Sequence, residues 1–179
     1  MNELLLNILN EVKQIKYGFI TSDGIIHKNA KRDFYLNNYR LMSIEDTLKY
    51  QVGTCYEQTE VIGYLLDKNN IKYKKYNIIY DVPDKIARHT FCVVEDNNKY
   101  ILMESSWLID NSTFDSLEDL LISIVKRYPR MYKIEGFNLD KIEIYEYNKV
   151  NVGDDYYQYT DNIRSTGKII NIDLNKIYE

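Results

Sequence analysis

Cysteine, histidine and tryptophan are scarce in this sequence, whose 179 residues include two, two and one of them, respectively. Two cysteines exclude a disulfide-rich scaffold, and a chain of this length buries enough apolar surface to fold without a disulfide, so both thiols are expected to be free. Basic residues are a minority too, since 23 Lys and Arg face 27 Asp and Glu for a net charge of −4. We therefore exclude nucleic acid as a partner, because an acidic chain with scattered lysines does not attract phosphate.

Long apolar runs are missing as well. No stretch approaches the roughly 20 residues that cross a bilayer, and residues 1–9 are polar where a signal peptide is basic and then apolar. We expect a cytoplasmic protein that does not bind membranes. The content of 45% hydrophobic and 28% charged residues is ordinary for a globular chain, so we expect one domain spanning residues 1–179.

Helical signals dominate the first part of the chain. Apolar spacings of three and four predict one helix at the N-terminus, and Ser43, Thr54 and Ser116 are expected to cap three more. The four predicted helices cover residues 2–15, 44–50, 55–68 and 117–128. Between the first two, residues 18–40 are expected to form an irregular connection with one short strand at 24–27.

Strand patterns follow at residues 72–80, 90–95 and 100–104, with later candidates at 141–147 and 168–174. Residues 96–98 are expected to form a hairpin turn, and residues 151–166 a long hairpin or a cover over the sheet. Short turns, rather than helical crossovers, join the main strands. The predicted fold class is α+β, with N-terminal helices packed on an antiparallel sheet.

Three residues suggest chemistry by their order and setting. Cys55 begins a predicted helix, His89 lies on a predicted strand, and Glu104 ends the next one. A helix N-terminus stabilises a thiolate, an imidazole activates it, and a carboxylate orients the imidazole. We therefore predict a Cys55–His89–Glu104 catalytic triad.

The hairpin between the two strands tests this triad by spacing. If Asp96–Asn97 is a two-residue turn, His89 lies directly opposite Glu104. Moving the turn by one residue is expected to place the two side chains on opposite faces, and a shift of two to restore a diagonal contact. The backbone N–H of Cys55 and the side chain of Gln51 are the expected oxyanion donors. Gly53 permits backbone torsions, just before the nucleophile, that a larger residue would resist.

Residues 43–107 resemble the transglutaminase-like superfamily of papain-like cysteine enzymes. Gly53-Thr54-Cys55-Tyr56 resembles its nucleophile segment, His89-Thr90-Phe91-Cys92 its histidine strand, and residues 100–107 its acid strand. The resemblance implies a transglutaminase-like core and acyl chemistry at a thiol. The chain departs from the family pattern in having Glu104 for the usual Asp, and Tyr56 for the Trp common in cross-linking members, which argues against protein cross-linking.

The expected function is hydrolysis of a peptide or isopeptide amide through a Cys55 thioacyl intermediate, with a protein or peptide as substrate. Acyl transfer of the transglutaminase or N-acetyltransferase type stays open, as does an inactive transglutaminase-like binding module, or an unrelated α+β domain in which the three residues never meet. Segments 80–88 and 151–166 are expected to shape specificity. The oligomeric state is left open.

No cofactor or metal is expected. The sequence has no dinucleotide or phosphate-binding loop, no HExxH and no GxSxG motif. A metal site of His89, Cys92 and Cys55 would need side chains from both faces of one strand. Cys92 is expected in the core and His27 at the surface, Trp107 is assigned to the core rather than to a cleft wall, and the 18 tyrosines indicate compositional bias rather than a binding device.

Overall fold

The computed structural model describes residues 2–83, 85–107 and 113–177 and combines helices with an antiparallel sheet. The helices are α1 (Glu3–Val12), α2 (Arg32–Asn38), α3 (Ile44–Tyr50), α4 (Cys55–Lys68), α5 (Leu117–Val125), α6 (Tyr128–Tyr132) and α7 (Tyr156–Thr166). The strands are β1 (Lys16–Tyr17), β2 (Phe19–Ile20), β3 (Ile26–His27), β4 (Val52–Gly53), β5 (Tyr73–Val82), β6 (Lys85–Asp96), β7 (Lys99–Met103), β8 (Thr113–Phe114), β9 (Ile142–Tyr147) and β10 (Lys168–Ile169). Single 3₁₀ turns occupy Leu139–Lys141 and Leu174–Ile177.

The main sheet has six strands in the order β10-β9-β5-β6-β7-β8, and every neighbouring pair is antiparallel. Two small sheets lie apart from it, a parallel β1–β4 pair and a β2–β3 hairpin. The mixed helix and sheet class predicted from sequence is therefore confirmed. No helix in the described ranges is long and apolar enough to cross a membrane.

Successive side chains of β6 point to opposite faces of the sheet, and each face has its own part of the hydrophobic core. Phe91 packs with α5 and α6 on one face, whereas Cys92, on the other, packs with α1 and α4. A third, tyrosine-rich cluster joins Phe19 and Tyr39 to the start of α4 and to α7. Helices α1 and α4 thus cover one face of the sheet, and α5 and α6 cover the other.

The predicted helix caps hold. Ser43 Oγ accepts the Asp46 N–H at α3, and Ser116 Oγ accepts the Asp119 N–H at α5. The first and last predicted helices are three residues too long, ending at Val12 and Val125.

The prediction of an irregular connection at residues 18–40 is wrong where residues 32–38 form α2. Residues 156–166 form α7 rather than a hairpin, and this helix covers part of the sheet, because Tyr159 packs against Tyr147 of β9. The sequence does signal α7, because Asp155 and Gln158 form a reciprocal capping box. The strand predicted at 168–174 shrinks to Lys168–Ile169.

Candidate active site

The backbone entering α4 is folded tightly beneath Cys55. Gln51 has a positive φ of 53° and ends α3, and Val52–Gly53 then pairs in parallel with Lys16–Tyr17. A Cβ on Gly53 would lie 2.7 Å from Glu57 Cβ, so only glycine fits this approach. Cys55 is the first residue of α4, as predicted.

A buried carboxylate fixes this helix start. Glu57 accepts hydrogen bonds from the Thr54 N–H (2.7 Å), the Thr54 hydroxyl (2.7 Å), the Tyr39 hydroxyl (2.7 Å) and the Met42 N–H (3.3 Å). Thr54 Oγ1 in turn accepts from the N–H groups of the first turn, which completes a capping box. The pattern Thr54-Cys55-Tyr56-Glu57 carries this signal in the sequence.

Gln58 connects the nucleophile helix to the acid segment. Its side-chain NH₂ donates to the Ile15 carbonyl at 3.0 Å, and its Oε1 accepts from Ser105 Oγ at 2.9 Å and Ser106 Oγ at 2.7 Å. Because Ser105 and Ser106 directly follow Glu104, this buried amide holds the acid next to α4. Sequence spacing alone does not single out Gln58.

The hairpin register differs from the predicted one by two positions. The turn is Asn97–Asn98, with positive φ at both residues, and Asp96 pairs with Lys99. The prediction of a turn one residue earlier is wrong, so Glu104 is a diagonal neighbour of His89 rather than the residue opposite. Even so, Glu104 Oε1 lies 3.4 Å from His89 Nε2, with both side chains buried.

His89 is enclosed by aromatic rings. Trp107 stacks on it with ring centroids 3.8 Å apart and an interplanar angle of 7°. The backbone N–H of Trp107 donates a hydrogen bond to Glu104 Oε1 at 2.8 Å. Trp107 also packs edge-on against Tyr128 and Tyr132. It therefore serves as both core residue and wall of the site, and it fixes the plane of the imidazole.

Polar atoms are left unpartnered at this position. Among the described residues, His89 Nδ1, His89 Nε2 and Glu104 Oε2 have no hydrogen-bond partner although all three are buried. Buried polar atoms are nearly always paired, so three unpaired atoms on two neighbouring side chains mark this position as a candidate site. The Cys55–His89 hydrogen bond that catalysis requires is among the bonds not formed in this state.

Cys55 reaches the edge of β6 beyond the end of β7. The last pair of those strands is Cys92 with Met103, and the backbone of Thr90, the residue after His89, acts to lower the pKa of Cys55. Burial, with smaller contributions from Glu57 and Glu104, raises the pKa of Cys55 to about 12. The resting form is therefore the neutral thiol, not the thiolate expected from the helix N-terminus alone.

Gln51 does not join the site. Its side chain is exposed and donates to the Leu48 carbonyl at 2.7 Å, closing the last turn of α3. The left-handed backbone that ends the helix turns this side chain outward, so the prediction of Gln51 as oxyanion donor is not supported. The Cys55 N–H has no acceptor within the helix, because Cys55 is the first residue of α4.

A pocket of about 210 Å³ opens onto Cys55. Five tyrosines line it together with Arg88, which pairs with Asp81 at 2.7 Å and donates to the Tyr156 carbonyl at 2.9 Å. The lining tyrosines are Tyr17, Tyr35, Tyr56, Tyr132 and Tyr156. Some tyrosines treated as compositional bias thus form the walls, and both segments expected to shape specificity, 80–88 and 151–166, contribute lining residues.

A larger pocket of about 990 Å³ lies at the opposite end of β6, lined by Tyr73, Lys74 and Glu95 among others. Seven residues of extended strand separate Glu95 from Arg88, roughly 23 Å. Among the described residues, its lining contains no cysteine. The smaller pocket is the candidate active site because Cys55 lines it, although His89 and Glu104 are not among its lining residues.

Cys92 and His27, the other cysteine and histidine, lie in different environments. Cys92 is fully buried in the core and directs its thiol to the Thr59 carbonyl at 3.5 Å, as predicted for a core residue. His27 is half-buried, stacks on Phe19 and contacts Thr21 Oγ1 at 3.0 Å. It is less exposed than predicted.

Tyr17 lines the Cys55 pocket, although 53% of the residue is exposed. Burial and, to a smaller extent, Cys55 raise the pKa of the Tyr17 hydroxyl well above its usual value. We expect Tyr17→Ala to accelerate iodoacetamide modification of Cys55 roughly several-fold, because access limits a buried thiol. Mass spectrometry of the modified peptide measures this, with Tyr50→Ala as an exposed control. Equal rates in all three proteins would contradict a covering role.

Neither a comparison with protein-family models nor one with curated proteins finds a match to this sequence. The function therefore has to be inferred from the geometry of the site.

Proposed function

We propose that the protein is a cysteine-dependent acyl enzyme with a transglutaminase-like core, and that it hydrolyses a peptide or isopeptide amide. The observation that supports the proposal is that Glu104 Oε1 lies 3.4 Å from His89 Nε2, while Glu104 and the backbone of Thr90, the residue after His89, both influence the pKa of Cys55. Neither His89 nitrogen makes a hydrogen bond among the described residues. In the proposed mechanism, Glu104 holds His89 at Nε2, and Nδ1 exchanges a proton with the thiol.

In the first half-reaction, Cys55 Sγ attacks the carbonyl carbon while His89 accepts the thiol proton. The oxyanion accepts the Cys55 N–H. As the C–N bond breaks, His89 returns the proton to the leaving amine, and a thioester remains. Water then attacks the thioester, His89 accepts a water proton, and cleavage of the C–S bond returns the proton to sulfur.

The raised pKa of Cys55 determines the order of events. Because the resting thiol is neutral, His89 has to act as a general base during attack rather than as one half of a preformed ion pair. Substrate entry past Tyr17 would bring the thiol and the imidazole into contact. Glu104 stabilises the imidazolium that forms.

A second candidate is a transglutaminase-like binding module in which Cys55 is an ordinary buried thiol. The absence of a Cys55–His89 hydrogen bond within the described residues favours it, as does the pKa near 12. In that case His89 would be a core histidine held by Trp107.

The pH profile of Cys55 alkylation separates the two, measured in a Cys92→Ala background so that one thiol reports. For an enzyme, modification persists below pH 7, where histidine but not an ordinary thiol titrates. At pH 7 we expect His89→Ala to slow alkylation of Cys55 about 100-fold and Glu104→Gln to slow it about 10-fold. His27→Ala controls for loss of a histidine as such. If the alkylation rate has its inflection above about pH 8.5, and His89→Ala leaves that profile unchanged, the protein is the binding module instead.

A further inference from the structure

The walls of the Cys55 pocket carry charge of one sign. Its lining includes Arg32, Lys85 and Arg88 and no carboxylate among the described residues. This excess of positive charge stands out in a chain whose net charge is −4. A pocket lined by one sign of charge concentrates ligands of the opposite sign.

A second pocket, of about 380 Å³, continues the first. The two share Tyr17, Arg32 and Tyr35, and the second adds Lys28, again without a carboxylate in the described part of the chain. Positive charge therefore extends from the thiol outward past Tyr17. A ligand that fills both pockets meets cations along its length.

The three cations nearest the thiol differ in availability. Arg88 is buried and neutralised by Asp81, so its role is to hold the wall in place. Arg32 is exposed and uses one NH₂ on the Ile86 carbonyl at 3.0 Å, which fixes its side chain across the pocket mouth. No carboxylate among the described residues forms an ion pair with Arg32 or Lys85.

We infer that the acyl donor of Cys55 carries an anionic group, a carboxylate or a phosphate, close to its scissile carbonyl, and that Arg32 and Lys85 bind it. The inference rests on the proposed function and names its substrate class. The tyrosine walls accept the uncharged part of such a donor, and the cations at the mouth select the charged part.

Iodoacetate and iodoacetamide form a matched pair of probes, since they differ in one negative charge. Each reacts as sulfur forms a C–S bond, iodide leaves, and the thiol proton passes to a base. The rate ratio of iodoacetate to iodoacetamide on Cys55, divided by the same ratio on free cysteine in the same buffer, reports the local charge. We expect a value of roughly 3 to 10 at low ionic strength that falls toward 1 in high salt.

The variants Arg32→Gln, Lys85→Gln and their combination are expected to lower this ratio, the combination most. Arg32→Lys, which keeps the charge, should preserve it. Lys126→Gln, on the exposed end of α5, changes the net charge equally and should have no effect. Protection of Cys55 by inorganic phosphate would assign a phosphate as the bound group, and protection by succinate a carboxylate.

Failure of this inference is distinguishable from failure of the proposed function. A normalised ratio of 1 that the variants leave unchanged would overturn the anionic substrate, while dependence of the alkylation rate on His89 would still support the enzyme. A high ratio without dependence on His89 would support an anion-binding module. If Cys55 reacts with neither reagent, even with Tyr17→Ala, the pocket does not admit ligands and the inference is overturned.

Discussion

Replacing Cys55 by serine is expected to lower acyl-enzyme formation about 10⁴-fold, because the hydroxyl is a far weaker nucleophile than the thiol and His89 is arranged for sulfur. The reaction is followed with p-nitrophenyl acetate, an activated ester, as the burst of p-nitrophenol and as one added acetyl group on the protein. Since α4 starts at this residue and its cap involves Thr54 and Glu57, serine should leave the fold intact.

Cys92→Ala is the matched control, since it removes the other thiol, which points to the face of β6 opposite His89. Cys92 is fully buried, so this variant is expected to lose some stability while keeping the acyl-enzyme burst. A burst that survives Cys55→Ser, or disappears with Cys92→Ala in folded protein, would contradict the assignment of Cys55 as nucleophile.

Loss of the Glu57 carboxylate is expected to produce the largest change in stability. Glu57→Ala leaves the Tyr39 hydroxyl and the Thr54 N–H buried without their acceptor, and each such group costs about 1–3 kcal/mol, so we expect a loss of about 3 kcal/mol or more. Urea denaturation followed by circular dichroism measures the free energy of unfolding. Glu45→Ala, in the exposed first turn of α3, is the control and should change it by under about 1 kcal/mol.

The pH dependence of Glu57 has a definite sign. Burial raises its pKa above the ordinary value of 4.5, although hydrogen bonds from Thr54 and Tyr39 oppose the rise. The unfolded state therefore releases this proton first, and the stability due to Glu57 falls as the pH increases from about 4.5 through the raised pKa. Relative to Glu57→Gln, which cannot titrate, the wild type should lose stability across that interval. A difference that is constant with pH would contradict the raised pKa.

Local signals account for the elements that the sequence predicted well. The apolar spacing of α1, the cap of α3 by Ser43 and the start of α4 at Cys55 each depend on residues within one or two helical turns. The main hairpin was located correctly for the same reason. Its register was not, because Asp96–Asn97 and Asn97–Asn98 are both acceptable two-residue turns, and packing on the two faces of β6 selects the second.

The elements missed by sequence reasoning are those whose stability comes from distant partners. Helix α2 contributes Tyr35 to the tyrosine-rich cluster around Phe19, and α7 packs Tyr156 and Tyr159 against Tyr56. Neither contact is visible in the spacing of nearby residues. Gln51 was misassigned for a related reason, since proximity along the chain does not reveal that a left-handed residue turns its side chain outward.

By itself, the sequence determined the α+β class, the helix that carries Cys55, the strand that carries His89, and the candidate triad, because these follow from periodicity, capping and residue order. Only the tertiary structure decided that Glu104 approaches His89 diagonally, that Gln58 links the acid segment to α4, and that tyrosines and cations surround the thiol. It also decided that the resting thiol is neutral. The physical reason is that side-chain burial and long-range hydrogen bonds depend on segments far apart in the chain. For Cys55, burial raises the pKa by more than the helix N-terminus lowers it.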